Sequence, residues 1–253
     1  MPIKAVASQR LYRRIAEEIA RLIKRGEYKP GARLPPERDL AAMLKVSRPS
    51  VREALIALEV EGYVDVRIGS GVYVAQTAGT RAKAPRLAAD AGPFELITAR
   101  RLLESECAAL AARNASPAQI RRMRAALTAM VRDRKRNVMP LENDRRFHLE
   151  MAEAGGNSAL ALLVRTLWDQ RTGPLFLQLE HHFDTPELWD AAIAEHQSVM
   201  VAIEAHDGAK ARATMRRHMD QAARRFQKSW TTGRPQSGKS TLARQQGVGN
   251  GAA

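Results

Sequence analysis

The feature that most constrains this chain is a pair of short helices joined by a tight turn near the N-terminus. Proline is tolerated in the first turn of a helix, and Pro35-Pro36 opens the first of the pair. Lys45-Val46-Ser47 forms the turn, and Ser47 is a good N-cap for the second helix. That second helix begins with side chains that suit the DNA major groove: Arg48, Ser50 and Arg52.

The segments on either side complete a small domain. An amphipathic helix with apolar residues at three- and four-residue steps, from Leu11 to Ile23, is expected to stop at Gly26. After the helix pair, residues 63–66 and 72–74 alternate around a glycine-rich tip that contains Gly69, so they predict a two-stranded hairpin. Residues 8–76 are therefore predicted to form a winged helix-turn-helix domain.

Charge agrees with a polyanionic partner but does not identify one. The chain has 41 Lys and Arg against 27 Asp and Glu, a net charge of +14, which favours nucleic acid first and an anionic membrane surface second. A single cysteine excludes a disulfide framework and a multi-cysteine zinc cluster. No apolar window is long enough for a membrane span and no secretion signal is present, so a cytoplasmic protein is expected.

Three motifs in this region resemble the DNA-binding domain of the GntR family of regulators. They are Leu34-Pro35-Pro36-Glu37-Arg38-Asp39-Leu40-Ala41, the run Val46 to Leu55, and Leu58-Glu59-x-Glu61-Gly62-Tyr63. The resemblance implies binding to double-stranded operator DNA. It implies that Arg38, Arg48 and Arg52 contact bases or phosphates, that Ser47 and Ser50 bind phosphates, and that Gly69 approaches the minor groove. Because operators present two symmetric half-sites, a homodimer is expected.

The rest of the chain is helical by pattern. Residues 77–92 are rich in Ala, Gly, Thr, Lys and Arg and are interpreted as a linker. Residues 93–230 predict six or seven helices in an antiparallel bundle, with a kink at Gly173-Pro174, and residues 231–253 are interpreted as a disordered tail. The predicted fold class is mainly α, a winged helix-turn-helix followed by an all-α bundle.

Four ionisable residues of the bundle sit among apolar positions. Asp144 and His148 are four residues apart and share one helix face, while His196 and His218 lie on two further helices. Three imidazoles and one carboxylate could bind a single divalent ion. The alternative is that each histidine is an ordinary hydrogen-bonded core or surface residue, and the spacing alone leaves both interpretations open.

The order of these residues is similar to that of the FCD domain in the FadR-like branch of the GntR family. The resemblance implies that Asp144, His148, His196 and His218 are metal ligands and that the ion takes a small organic acid, either lactate-like or a sugar acid. It implies that Arg100 pairs with the carboxylate of that effector. A salt bridge from Arg100 to Glu104 is the competing role. Zinc is expected from the ligand types, with nickel and manganese as alternatives, and a repressor is expected.

Two features of the sequence are compatible with other functions. Gly233 to Ser240 satisfies the phosphate-loop pattern, but a helix precedes it and Pro235 lies inside it, so a nucleotide site is not expected. The Asp and His set could activate water in a metal-dependent enzyme, which would also require a general base such as Glu104 or Glu195. An enzyme has no need of a winged helix-turn-helix, so the chain is not expected to be one.

Overall fold

The computed structural model describes residues 11–76, 91–182 and 185–227. The predicted disordered tail, the phosphate-loop pattern and all but the last two residues of the predicted linker lie outside these ranges. Helix α1 (Leu11–Lys24) precedes the helix pair α2 (Glu37–Leu44) and α3 (Arg48–Val60). Strands β1 (Val64–Arg67) and β2 (Gly71–Val74) follow. The predicted order of helices and hairpin is thus confirmed.

Local chemistry explains the turn between α2 and α3. Lys45 adopts a left-handed conformation, with φ of 54°, and ends α2. The hydroxyl of Ser47 then accepts a hydrogen bond from the backbone N–H of Ser50 and caps α3. In the wing, Val64 pairs with Val74 and Arg67 with Gly71, and Gly69 stands at the tip with φ of 79°. That left-handed conformation favours glycine.

Seven helices make up the described C-terminal region. They are α4 (Pro93–Asn114), α5 (Pro117–Lys135), α6 (Leu141–Ala154), α7 (Ser158–Asp169), α8 (Pro174–His181), α9 (Pro186–Glu204) and α10 (Gly208–Gln227). The kink expected at Gly173-Pro174 is a complete break, because a 3₁₀ turn, Gln170–Thr172, and an extended Gly173 separate α7 from α8. Proline then occupies the first turn of α8, where its missing N–H is tolerated.

Helix α8 lies between the two parts of the molecule. Leu175 and Leu179 are buried in the same apolar cluster as α1 and α3, whereas Phe176 belongs to the cluster of the bundle. Residues on neighbouring faces of α8 therefore pack into different cores. Within the residues described, no helix is long and apolar enough to cross a membrane.

Candidate functional site

Five of the six predicted DNA-binding residues, on α2, around the start of α3 and at the wing tip, are exposed or half-buried. The side chains of Arg38 and Arg48 are 84% and 51% exposed. Ser47 and the wing-tip Gly69 are also exposed, and Ser50 is half-buried. These five residues lie where a DNA duplex could reach them, which is the placement that major-groove and wing contacts require.

Arg52 is placed differently from the expectation. Its side chain is 1% exposed and binds the Glu37 carboxylate through Nε at 2.9 Å and Nη2 at 2.6 Å. Its Nη1 donates to the backbone carbonyl oxygen of Phe226 on α10. In this arrangement Arg52 faces the protein interior, and contact with DNA would require it to leave these partners.

Two further contacts join α3 to the bundle. The carboxylate of Glu53 accepts a hydrogen bond from the backbone N–H of Phe94, in the first turn of α4, at 2.9 Å. At the other end of α3, Glu59 lies 2.7 Å from the Nε2 of His182, just after α8. Helix α3 is thus held by residues near the ends of α4, α8 and α10.

The four predicted metal ligands converge inside the bundle. One ligand atom from each of Asp144, His148, His196 and His218 lies within 4.8 Å of the others. Asp144 Oδ1 is 2.8 Å from His196 Nε2 and 3.3 Å from His148 Nε2. The two Nε2 atoms are 2.9 Å apart. Neighbouring ligands around an ion bound at about 2.1 Å are separated by roughly 3.0–3.4 Å, so these atoms are close to the spacing of a coordination shell.

Each histidine has an acceptor at its Nδ1 atom. His148 Nδ1 lies against a Glu104 carboxylate oxygen, and His218 Nδ1 donates to Glu195 at 2.8 Å. His196 Nδ1 donates to the Ala192 carbonyl oxygen at 2.7 Å. Metal-binding histidines characteristically donate one ring N–H in this way, which fixes the tautomer and leaves the other nitrogen as a ligand.

The ionisation states add to this pattern. Burial, reinforced by the neighbouring His196, lowers the pKa of His218 to about 3, so its ring is neutral at pH 7. Burial opposes ionisation of Asp144, but the His148 and His196 rings hold its pKa well below the usual range. Burial also opposes charge on His148, yet the carboxylates of Glu104 and Asp144 raise its pKa above the usual value. Asp144 is therefore ionised and His218 neutral at pH 7, the protonation states in which each can bind a metal ion.

One buried atom shows how well a cation would fit. Asp144 Oδ1 is shielded from solvent and has no hydrogen-bond partner among the described residues, although two Nε2 atoms are close to it. If the Nδ1 atoms carry the protons, those Nε2 atoms present lone pairs to a carboxylate lone pair. A divalent ion would satisfy all of these acceptors together, so the residues fit a metal.

A cavity of about 110 Å³ adjoins the cluster and is lined by Asp144, His196 and His218. Its wall also carries three arginines: Arg100, Arg171 and Arg225. Arg100 donates to Glu104 through Nε at 2.7 Å and stacks on the Trp168 ring at 4.0 Å. The salt bridge considered as its alternative role is present, and the residue lines the cavity as well.

Sequence reasoning missed two of these cationic residues. Arg171 contacts Asp144 at 3.3 Å, pairs with Glu180 and stacks on Trp168 at 4.2 Å. Arg225 binds the Glu195 carboxylate at 2.7 and 3.1 Å. The kink predicted at Gly173-Pro174 implies a helix that continues through Arg171, and no local pattern brings Arg171 to Asp144, because the break before α8 determines its direction.

Comparison with known proteins decides the family. The sequence profile described as "Bacterial regulatory proteins, gntR family" matches residues 11–74, and that of the FCD domain matches residues 95–221. The chain belongs to the GntR family. The Uxu operon transcriptional regulator of Escherichia coli K12 is 39% identical over 228 residues, covering 88% of this chain and 89% of the relative. The Exu regulon transcriptional regulator of the same strain is 35% identical, covering 84% and 83%.

A third relative, the HTH-type transcriptional repressor NanR of Klebsiella aerogenes, is 29% identical and covers 85% of each chain. This GntR-family protein is therefore a DNA-binding transcriptional regulator with an FCD effector-binding domain, and the predicted resemblance and fold class are confirmed. The families and relatives are regulators, so the prediction that the chain is not an enzyme is confirmed too. The two bases considered for catalysis, Glu104 and Glu195, are each bound to a histidine and an arginine.

Proposed function

We propose that this GntR-family protein is a repressor whose affinity for its operator is controlled by a small organic acid bound at a divalent metal ion. The observation that carries the proposal is the convergence of three histidine nitrogens and an Asp144 oxygen within 4.8 Å, beside an arginine-lined cavity. The repressor role is supported by the name of one relative, which is a transcriptional repressor.

In the DNA-binding part, residues 8–76, Arg38 and Arg48 would contact bases or phosphates, and Ser47 and Ser50 would bind phosphates. Gly69 would approach the minor groove at the wing tip. The exposure of the two arginines supports these roles. Two copies would bind symmetric half-sites, with residues 77–92 linking each DNA-binding part to its effector domain, residues 93–230. A mass measurement in solution checks the dimer.

Asp144, His148, His196 and His218 would hold the ion, and Glu104 and Glu195 would orient two of the rings. Nitrogen and carboxylate ligands suit zinc first, with nickel and manganese as alternatives. When bound, the ion would supply a Lewis acid that accepts a carboxylate oxygen of the effector. Elemental analysis of the purified protein identifies the metal.

Arg100 would bind the effector's carboxylate from the cavity wall. A planar guanidinium suits a planar anion, and stacking on Trp168 already orients this one. Because Glu104 engages its Nε at 2.7 Å and its Nη2 at 3.4 Å, chiefly the Nη1 donors would bind the ligand. A cavity of about 110 Å³ favours a small acid, in agreement with a lactate-like or sugar-acid effector.

The test combines operator release with loss of the cluster. Metal-loaded wild-type protein on its own upstream DNA is titrated with a panel that includes lactate and D-gluconate, and release by at least one acid is expected. The double variant Asp144→Ala with His196→Ala should bind the same DNA but ignore the acid. A variant that responds like wild type would show that the cluster is not the effector site. A reporter gene that becomes active when the regulator is deleted would support repression.

A further inference from the structure

A continuous series of contacts joins the candidate metal cluster to the DNA-reading helix. It starts at His218, whose Nδ1 donates to Glu195 at 2.8 Å. The same carboxylate binds both terminal nitrogens of Arg225, at 2.7 and 3.1 Å. The next residue, Phe226, accepts a hydrogen bond from Arg52 of α3 through its carbonyl oxygen. Every member of the series is fully or partly buried.

Phe226 is also placed to respond to the cavity. Its ring lines the cavity and meets the Phe176 ring of α8 edge to face, with centroids 6.0 Å apart. It packs against both apolar cores, that of the bundle and that of the DNA-binding domain. A displacement of the last described turn of α10 would therefore change the contact between the two domains.

We propose that Arg225 and Phe226 form a latch that holds Arg52 away from DNA. In the latched state, the Phe226 carbonyl oxygen and the Glu37 carboxylate together occupy all three nitrogens of the Arg52 guanidinium. In the released state, α10 moves off α3, and Arg52 is free to reach the DNA beside Arg48. Arg225 acts as a positioning residue, because it ties the Phe226 turn to Glu195.

The latch adds a mechanism to the proposed function. Its control by an effector rests on that proposed function. An acid that draws His218 and Glu195 toward the cavity would stabilise the latched state and weaken operator binding. Two sites coupled in this way must bias one equilibrium between two states. The equilibrium proposed here is whether Arg52 binds α10 or DNA.

The test uses two neighbouring arginines of α10 and an operator duplex that the wild-type protein selects from a random library. Arg225→Met removes the latch, whereas Arg224→Met removes the same charge from an exposed position of the helix. Losing a cation weakens electrostatic attraction to DNA, so charge alone makes both variants bind more weakly. The latch predicts the opposite for Arg225→Met. Without acid, it should bind the operator about 5-fold or more tightly than wild type.

Arg225→Lys keeps the charge but loses the bidentate salt bridge to Glu195. This variant should also bind the operator more tightly than wild type. Thermal melts establish whether each variant is folded. If Arg225→Met does not fold, the operator affinity of Arg225→Lys tests the latch instead. Equal changes for Arg225→Met and Arg224→Met, or no tightening in Arg225→Lys, would overturn the latch. Failure of the proposed function gives a different result. In that case the wild-type protein binds no metal in calorimetry, and no acid releases it from the operator.

Discussion

The DNA-reading surface and the interior of the bundle use charged residues in opposite ways. Arg38 and Arg48 are exposed and have only exposed or half-buried acidic neighbours. Arg100 and Glu104, by contrast, are 4% and 0% exposed and are bound to each other. A surface charge can be removed without disturbing the fold, whereas removing one member of a buried pair leaves its partner charged in a medium that solvates it poorly. Function and stability should therefore separate in the first region and coincide in the second.

Arg52 lies on the DNA-reading helix in the sequence, but its surroundings are buried and ion-paired, as they are for the charged residues inside the bundle. Burial lowers the pKa of its guanidinium, and the Glu37 carboxylate opposes that shift. A residue with this double character is suited to couple the regions, because it cannot serve the protein interior and the DNA at the same time.

The largest effect is expected from Glu104→Leu. Glu104 is the common acceptor for Arg100 and His148, and these two groups hold its pKa below the usual range against the opposing effect of burial. Its loss should lower the free energy of unfolding by about 3–5 kcal/mol, since a buried charge is left unpaired. Urea denaturation measures the change. Glu106→Leu is the control on the same helix, and it should cost far less because Glu106 pairs with Arg212 at the surface. Similar costs for both would erase the contrast between the regions.

A second prediction tests whether the buried Asp144 and histidine cluster binds a metal ion. Zinc at about 100 times its dissociation constant should raise the free energy of unfolding of the wild type by about 2.7 kcal/mol. Asp144→Ala with His196→Ala should abolish this gain. Asp169→Ala with His181→Ala removes the same residue types outside the cluster and should keep it. Thermal melts with and without the metal give both values, and stabilisation that persists in the cluster variant would place the ion elsewhere.

The same contrast explains which features the sequence could predict. The turn at Ser47 and the exposed Arg48 depend on neighbours in the chain, so local patterns predicted them. Asp144 and His148 share a face by helical spacing, whereas the spacing left their meeting with His196 and His218 open and the family resemblance implied it.

The Nδ1 acceptors of His148 and His218, the direction of Arg171 and the burial of Arg52 depend on how distant helices pack. No local pattern contains that information. The break between α7 and α8 was underestimated for the same reason: Gly173-Pro174 predicts a bend, whereas tertiary packing decides whether the helix resumes in the same direction.

A smaller effect is expected at the surface from Arg48→Ala. If Arg48 reads a base, operator affinity should fall by about 1–3 kcal/mol and specificity should relax at one base pair. The melting temperature should not change, because the side chain is 51% exposed and bound only loosely to Glu37, at 3.3 Å. Arg38→Ala provides the comparison at a second exposed arginine, and at either position loss of a phosphate contact would weaken all sequences alike. Binding measured across single-base operator variants distinguishes a base contact from a phosphate contact. A loss of stability in Arg48→Ala would contradict the surface role.

The smallest expected effect concerns Cys107, a buried thiol of the bundle core. Burial, assisted by the nearby Glu104 and Glu106 carboxylates, raises its pKa to about 12. The unfolded thiol ionises near pH 8.5, so as the pH rises past that value ionisation lowers the free energy of the unfolded state only. Between pH 8 and pH 9 this linkage should lower the stability of the wild type by about 0.7 kcal/mol.

Cys107→Ala lacks the thiol, so the difference between its unfolding free energy and that of the wild type isolates the effect from every other titrating group. The difference should shift by that amount from pH 8 to pH 9 in favour of the variant. A constant difference would mean that the thiol ionises as easily in the folded bundle as in the unfolded chain. The interior would then admit water and charge, and its ionised groups would not need fixed partners.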